Sequence, residues 1–264
     1  MKIGRGTVAL VTGATGGVGG AIARALHGAG MDLILSGRRR ADLERLAGEL
    51  GARSVVADLS VPSDVARLCD EAGPVDVLVA NAALPASGEL LGYSEAEIDR
   101  ALGVNLRSPI LLARRLGEGM AARRRGQIVF ISSLMGKLAG PGTALYAATK
   151  FGLRGLSLGL REDLRSVDVG VTTIFPGFIR DVGMFAETGV KLPKGVGMVP
   201  ASAVANAVLR AVRENPAEID VATLEQRLSV LSFALVPTVF AWAQRKLGAA
   251  ELARAAGEAQ RAKR

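Results

Sequence analysis

The chain holds one cysteine and one histidine in 264 residues, and each scarcity removes a class of chemistry. Cys69 has no partner for an internal disulfide, so a reducing compartment is expected, and its neighbours Ala66, Arg67 and Leu68 suggest an ordinary packed helix. His27 falls late in the first helical pattern and cannot make a zinc centre alone, so no metal site is expected. Aromatic residues are only 4% of the chain and do not interleave with the arginine triplets Arg38-Arg39-Arg40 and Arg123-Arg124-Arg125, which argues against a nucleic-acid surface. Asp and Glu fall short of Lys and Arg, 25 against 33, a balance that suits anionic lipid or a phosphorylated ligand. The second triplet reads as a solvated helix end, where cations complement the dipole. The opening Met1-Lys2-Ile3-Gly4-Arg5-Gly6 lacks the apolar segment of a signal peptide, and a cytoplasmic protein is expected.

No linker, charge run or internal repeat divides the sequence. Apolar, β-branched runs at roughly 7–12, 32–36, 53–57, 76–80, 127–132, 169–175 and 218–221 alternate with helical patterns. That alternation predicts a single α/β domain over 1–264, a doubly wound Rossmann-type fold with a seven-stranded parallel sheet between two helical layers.

Two constellations carry chemistry. Between the first strand and the helix opening at Ala21, the turn Thr12-Gly13-Ala14-Thr15-Gly16-Gly17-Val18-Gly19 lets the backbone approach a pyrophosphate, which would meet the free N–H groups of the helix start. Tyr146 and Lys150 stand four residues apart in a long helical pattern and share a face; an ammonium beside a phenol favours the phenolate, so Tyr146 reads as a general acid/base. Ser133 closes the run Gly126 to Ser132, at a strand end where open α/β sheets place ligands.

With Thr12, Gly13, Gly17 and Gly19, then Asn81, then Asn105, Ser133, Tyr146 and Lys150 in order, then Pro176-Gly177, the chain resembles the short-chain dehydrogenase/reductase family in its shorter-subunit branch, from about Thr7 to Val221. The resemblance implies hydride transfer between a nicotinamide cofactor and a carbonyl or alcohol. Tyr146 would give or remove the proton, and Lys150 would lower its pKa and bind the nicotinamide ribose. Ser133 would polarise the substrate oxygen, and Asn105 would hold a water in the proton relay. Gly13, Thr15, Gly17, Val18, Gly19, Leu59, Pro176, Gly177 and Ile179 are implied to contact the cofactor, Asp58 its adenine, and Asn81 with Ala82 its adenosine ribose. The family usually has Gly where Ala83 stands, and this methyl would crowd the turn slightly. At the second strand's end there is no acid to accept from a ribose hydroxyl; Gly37 leaves room and Arg38 with Arg39 offers charge for a 2′-phosphate, so NADP(H) is expected.

After Ile179 the family's usual Thr is Asp181, preceded by Arg180; Asp181 would accept from the carboxamide or pair with Arg180. Residues 181–200 hold several glycines and prolines with Met184, Phe185, Leu192 and Met198, which reads as an apolar lid over an apolar, bulky substrate. In the extension 223–264, Leu228, Leu231, Leu235, Val239 and Trp242 recur at helical spacing with no charge between Arg227 and Arg245, and Pro237 breaks the run below a membrane-spanning ~20 residues. Two readings stand: a helix packed beside the lid, or an interfacial amphipathic helix with the basic tail Arg254 to Arg264 against anionic lipid. This tail lacks the short glycine-containing end by which many acyl-carrier ketoacyl reductases of the family close their tetramer, which counts against fatty-acid elongation. Relatives pair the helices containing Asn105 and Tyr146 between subunits, so a homodimer or homotetramer is expected, with Leu153, Leu156 and Leu160 as an added apolar stripe. The competing functions are a non-catalytic NADP(H) sensor or scaffold and a 3-oxoacyl thioester reductase.

Overall fold

The computed structural model describes residues 3–180, 182–192, 196–246 and 248–263. Among these residues the strands Val8–Thr12 (β1), Asp32–Gly37 (β2), Arg53–Val56 (β3), Val77–Ala80 (β4), Gly126–Ile131 (β5), Val169–Pro176 (β6) and Glu218–Val221 (β7) form one parallel sheet in the order β3-β2-β1-β4-β5-β6-β7. The helices between them are Gly17–Gly28 (α1), Arg40–Leu50 (α2), Pro62–Ala72 (α3), Glu95–Leu102 (α4), Ser108–Ala122 (α5), Ala144–Asp163 (α6), Gly183–Ala186 (α7) and Ala201–Glu214 (α8). Leu224–Leu235 (α9), Pro237–Lys246 (α10) and Ala249–Gln260 (α11) follow the last strand.

Both faces of the sheet are covered, which is why β1, β4, β5 and β6 are buried almost end to end, while the edge strand β7 alternates. In β1 the side chains point alternately to opposite faces: Ala9 and Val11 pack with Ile22 and Leu26 of α1 and Val204 and Val208 of α8, while Leu10 packs with Leu68 of α3 and Leu112 of α5. The chain leaves β1 for β2 on one side and reaches β4 on the other, so a crevice opens at the carboxyl ends of β1 and β4.

Three expectations change here. Leu153, Leu156 and Leu160 face inward, Leu153 within the core and the other two packed against it, so this stripe holds α6 to the sheet. On α5 and α6 the exposed apolar residues are instead Ile110, Phe151 and Leu158. The C-terminal extension is three helices, because Pro237 bars Val236 from helical geometry and starts α10 anew. Its basic end folds back as α11: Arg254 pairs with Glu89 at 3.3 Å, and Gly257 lies so close to the Ser87–Gly88 backbone that a Cβ there would fall 2.9 Å from Gly88 Cα.

Candidate active site

The glycine turn is built from one threonine and one asparagine. Thr12 Oγ1 accepts from the Asn81 and Ala82 N–H groups at 3.1 and 3.2 Å, and Asn81 Nδ2 donates to the Thr12 and Gly13 carbonyls at 3.0 and 3.2 Å. Gly13 has φ +64°, and a Cβ there would fall 2.8 Å from Ala82 Cα, so only glycine fits. Ala83 keeps an ordinary backbone, since the positive-φ residues other than glycine among those described are Arg124, Asp168 and Asn215. The first turn of α1 carries no side-chain cap and no acidic residue, so no anionic side chain meets its positive dipole end. Gly13, Thr15, Gly17, Val18 and Gly19 all line one cavity of about 1330 Å³.

Where β2 ends, Gly37 lies against Thr15: a Cβ on Gly37 would stand 3.2 Å from both Thr15 Oγ1 and Cγ2. Arg38 Nη1 lies 3.9 Å from Asp58 Oδ2, while Arg39 donates to the Thr15 carbonyl at 2.8 Å and pairs with Asp42 at 2.8 Å. Burial opposes ionisation of Asp58, but hydrogen bonds from the Ser60 N–H and hydroxyl, with the fields of Arg38 and Arg100, outweigh it and hold the carboxyl below its ordinary value. Arg38, Arg39, Asp58, Leu59, Asn81 and Ala82 line the same cavity.

The remaining wall comes from β5, α6 and β6. Ser133 follows β5 and accepts from the Met135 N–H at 3.2 Å, capping a short turn that brings its hydroxyl to the cavity. Tyr146 projects from α6 beside it; burial pushes its hydroxyl up to about 12, with hydrogen bonding to Ser133 pulling the other way. Lys150, one turn on, is buried and donates to the Ile131 carbonyl at 3.1 Å, and burial lowers its pKa to about 8. Its Nζ stands 5.5 Å from the Tyr146 ring centroid. The expected depression of the phenol pKa is therefore not what this geometry gives: the ammonium lies over the ring and burial dominates.

Asn105 sits behind this wall. The helix widens to a π-type turn at Gly103–Arg107 between α4 and α5, and the buried Asn105 amide accepts from the Leu84 N–H at 2.7 Å and donates to the Leu84 carbonyl at 2.9 Å. These two bonds fix the loop after β4.

Pro176, Gly177 and Ile179 close the far wall, and Ile179 bridges to Val199 with Arg180 N–H donating to the Val199 carbonyl at 2.9 Å. Asp181 lies outside the described residues. Beyond it Val182 packs against Gly17, and Phe178 meets Phe185 edge to face at 4.7 Å, so the lid leans on the glycine turn. The helix expected beside the lid is a larger, three-helix roof. Leu228, Val236, Val239, Phe240, Leu252 and Ala256 of the last three helices all line the cavity, and Gln260 Nε2 ties α11 to the lid at the Met184 carbonyl, 3.0 Å away. The apolar repeat from Leu228 to Trp242 signalled its first two helices, whereas the close approach of α11 to Gly88 and Gly142 left no signal in the sequence.

The family profile described as short chain dehydrogenase matches residues 7–192. The chain belongs to that family. This dehydrogenase is thus an oxidoreductase of a family that works on alcohol and carbonyl groups with a nicotinamide cofactor. It is 41% identical over 180 residues to nodulation protein G of Rhizobium sp., covering 66% of this chain and 74% of that one. A ketoacyl reductase of Nostoc sp. is 32% identical over 224 residues, 81% of this chain and 78% of that one. Among solved structures, a short chain dehydrogenase/reductase family protein superposes with a TM-score of 0.78 at 30% identity, covering 84% of this dehydrogenase and 97% of that chain. A short-chain dehydrogenase from Sphingobium yanoikuyae in complex with NADPH gives 0.76 at 25% identity, covering 86% and 93%.

Proposed function

We propose that this dehydrogenase interconverts a carbonyl and an alcohol on an apolar substrate with NADP(H). The observation that carries the reading is the convergence of Ser133, Tyr146 and Lys150 on one cavity wall, across from the uncapped start of α1. The glycine turn and α1 would hold the pyrophosphate, Arg38 and Thr15 the 2′-phosphate, Asp58 the adenine, Asn81 and Ala82 the ribose, and Pro176, Gly177 and Ile179 the nicotinamide end. Bound there, the nicotinamide supplies or takes the hydride. Ser133 orients the substrate oxygen by donating to it. Tyr146 delivers the proton as negative charge develops on that oxygen. With its hydroxyl near 12 the phenol is protonated at ordinary pH, the form that reduction needs. Lys150 keeps positive charge beside the ring, and Asn105, whose amide fixes the loop after β4, would hold a water in the proton relay.

The roof of Leu228, Val236, Val239, Phe240 and Leu252 supports an apolar substrate. A 3-oxoacyl thioester is the second reading, favoured by the ketoacyl reductase of Nostoc and by a 3-oxoacyl-[acyl-carrier-protein] reductase of Rickettsia bellii at 33% identity over 213 residues. A cytoplasmic location fits the single buried Cys69, whose thiol burial pushes up to about 11. The test follows NADPH oxidation by purified protein with aldehydes, ketones, quinones, steroids and 3-oxoacyl thioesters. Tyr146→Phe should keep cofactor binding and lower turnover by ~10²-fold or more. Near-full activity in that variant overturns the mechanism, and NADPH binding without turnover on any of these compounds favours a sensor.

A further inference from the structure

The outward side of the roof is apolar and bare. Leu224, Leu228, Leu231 and Leu235 repeat at helical spacing along α9 and are 72%, 53%, 56% and 79% exposed, and Val239 and Trp242 continue it on α10 at 59% and 56%. Soluble chains rarely leave so many large apolar residues together in water unless something covers them. Phe233 and Phe240 meet edge to face at 5.5 Å across the Val236–Pro237 corner and brace the two helices into one plate. No helix among the described residues is long and apolar enough to cross a membrane, so the plate can lie on a bilayer and not span it.

Charge selects the occupant. No acidic residue occurs between Glu225 and Glu251, while Arg227, Arg245 and Lys246 flank the apolar stretch and are exposed. A second copy packed on this plate about a two-fold axis would bring those cations near their own equivalents; an anionic lipid surface would meet them as counter-charge. A tryptophan at the edge of the plate suits the same boundary, with an apolar ring and a polar N–H. Leu228, Val236 and Val239 belong both to the exposed plate and to the cavity wall, so the plate is where cavity and surroundings meet.

We infer that α9 and α10 dock flat on an anionic bilayer, the leucines and Trp242 at the headgroup boundary and Arg245 and Lys246 among the lipid phosphates, with substrate exchanging between lipid and cavity through the plate. Docking stands on these helices alone, whereas the exchange of substrate rests on the cavity being the substrate site.

Trp242 is the sole tryptophan, and neither it nor Leu231 nor Leu235 lines the cavity, so its emission reports this face. The full chain, without cofactor or substrate, is titrated with vesicles of equal parts phosphatidylcholine and phosphatidylglycerol, and separately of phosphatidylcholine alone, following emission and co-sedimentation. Anionic vesicles should sediment the protein and shift Trp242 emission to shorter wavelength, with neutral vesicles far weaker. Removing the charges of Arg245 and Lys246 by alanine should weaken binding about fivefold per cation. Leu231→Ser with Leu235→Ser should abolish the shift while leaving the melting temperature and NADPH affinity unchanged. Unshifted emission on anionic vesicles overturns docking. So does emission already short in wavelength without lipid, in an assembly that the double leucine variant dissolves, because a protein then covers the plate. Absence of turnover on every carbonyl compound would sink the enzymatic reading and leave this measurement intact.

Discussion

Lys150 is buried with its charge, and that has a thermodynamic signature separate from catalysis. In the folded chain it releases its proton near 8, in the unfolded chain near its ordinary 10.5, so between those values the unfolded state binds more protons and stability rises with pH. Below about 8 both states are charged and the burial penalty is full. Urea titrations of wild type and Lys150→Met should therefore show the wild type gaining stability relative to the variant as pH climbs from about 8 to 10. A difference that stays flat over that range would mean Lys150 is not buried as described. Cofactor choice belongs to the same scale. Arg38 is half exposed and only 3.9 Å from Asp58, which leaves it able to swing to a phosphate; a charge-assisted bond contributes about 1.5–3 kcal/mol, roughly ten- to over a hundredfold in favour of NADPH. Gly37→Asp with Arg38→Ile should reverse the preference, because the carboxylate repels a 2′-phosphate and accepts from ribose hydroxyls. Equal dissociation constants for NADPH and NADH in the unmodified protein, by fluorescence titration, would count against Arg38.

At the scale of the element, α11 is the least anticipated part of the molecule and the easiest to disturb. It seats by close approach of Gly257 to the Ser87 and Gly88 backbone and of the Ala253 methyl to Gly142, so Gly257→Val should push it off the cavity. Such a variant is expected to raise KM for a bulky apolar substrate several-fold with kcat and melting temperature nearly unchanged; a large fall in melting temperature would make α11 part of the core instead. The strands and the Ser133, Tyr146 and Lys150 group were legible in sequence because their signals are local: runs of apolar residues, a four-residue spacing, a strand end. The roof was legible only in part: the repeat from Leu228 to Trp242 suggested a helix beside the lid, but the seat of α11 joins Gly88 to Gly257, far apart in sequence and without a periodic pattern. Leu153, Leu156 and Leu160 were misassigned for a related reason: helical spacing tells that a stripe exists but not whether the sheet or another subunit covers it. The two hydrogen bonds of Asn105 to Leu84 depend on a π-type turn that spacing cannot reveal.

For the molecule as a whole, Ile110, Phe151 and Leu158 leave an apolar strip on α5 and α6, and a subunit contact there would bury it. Light scattering at micromolar concentration should give a dimer or tetramer, and Phe151→Asp should shift it to smaller species; a monomer in the unmodified protein would exclude assembly through this face. Burial is distributed unevenly over the molecule. Along α9 only Gln226 is buried and along α10 no residue is, whereas α8 buries six and α6 six along their lengths. Cooperative opening of the roof therefore costs far less than opening the sheet. The cavity can exchange its contents by a subglobal fluctuation in which the Rossmann layers stay closed, and amide protons of α9 and α10 should exchange with solvent well before those of α6 and α8. Turnover on a tightly roofed apolar product would then be paced by that opening rather than by hydride transfer.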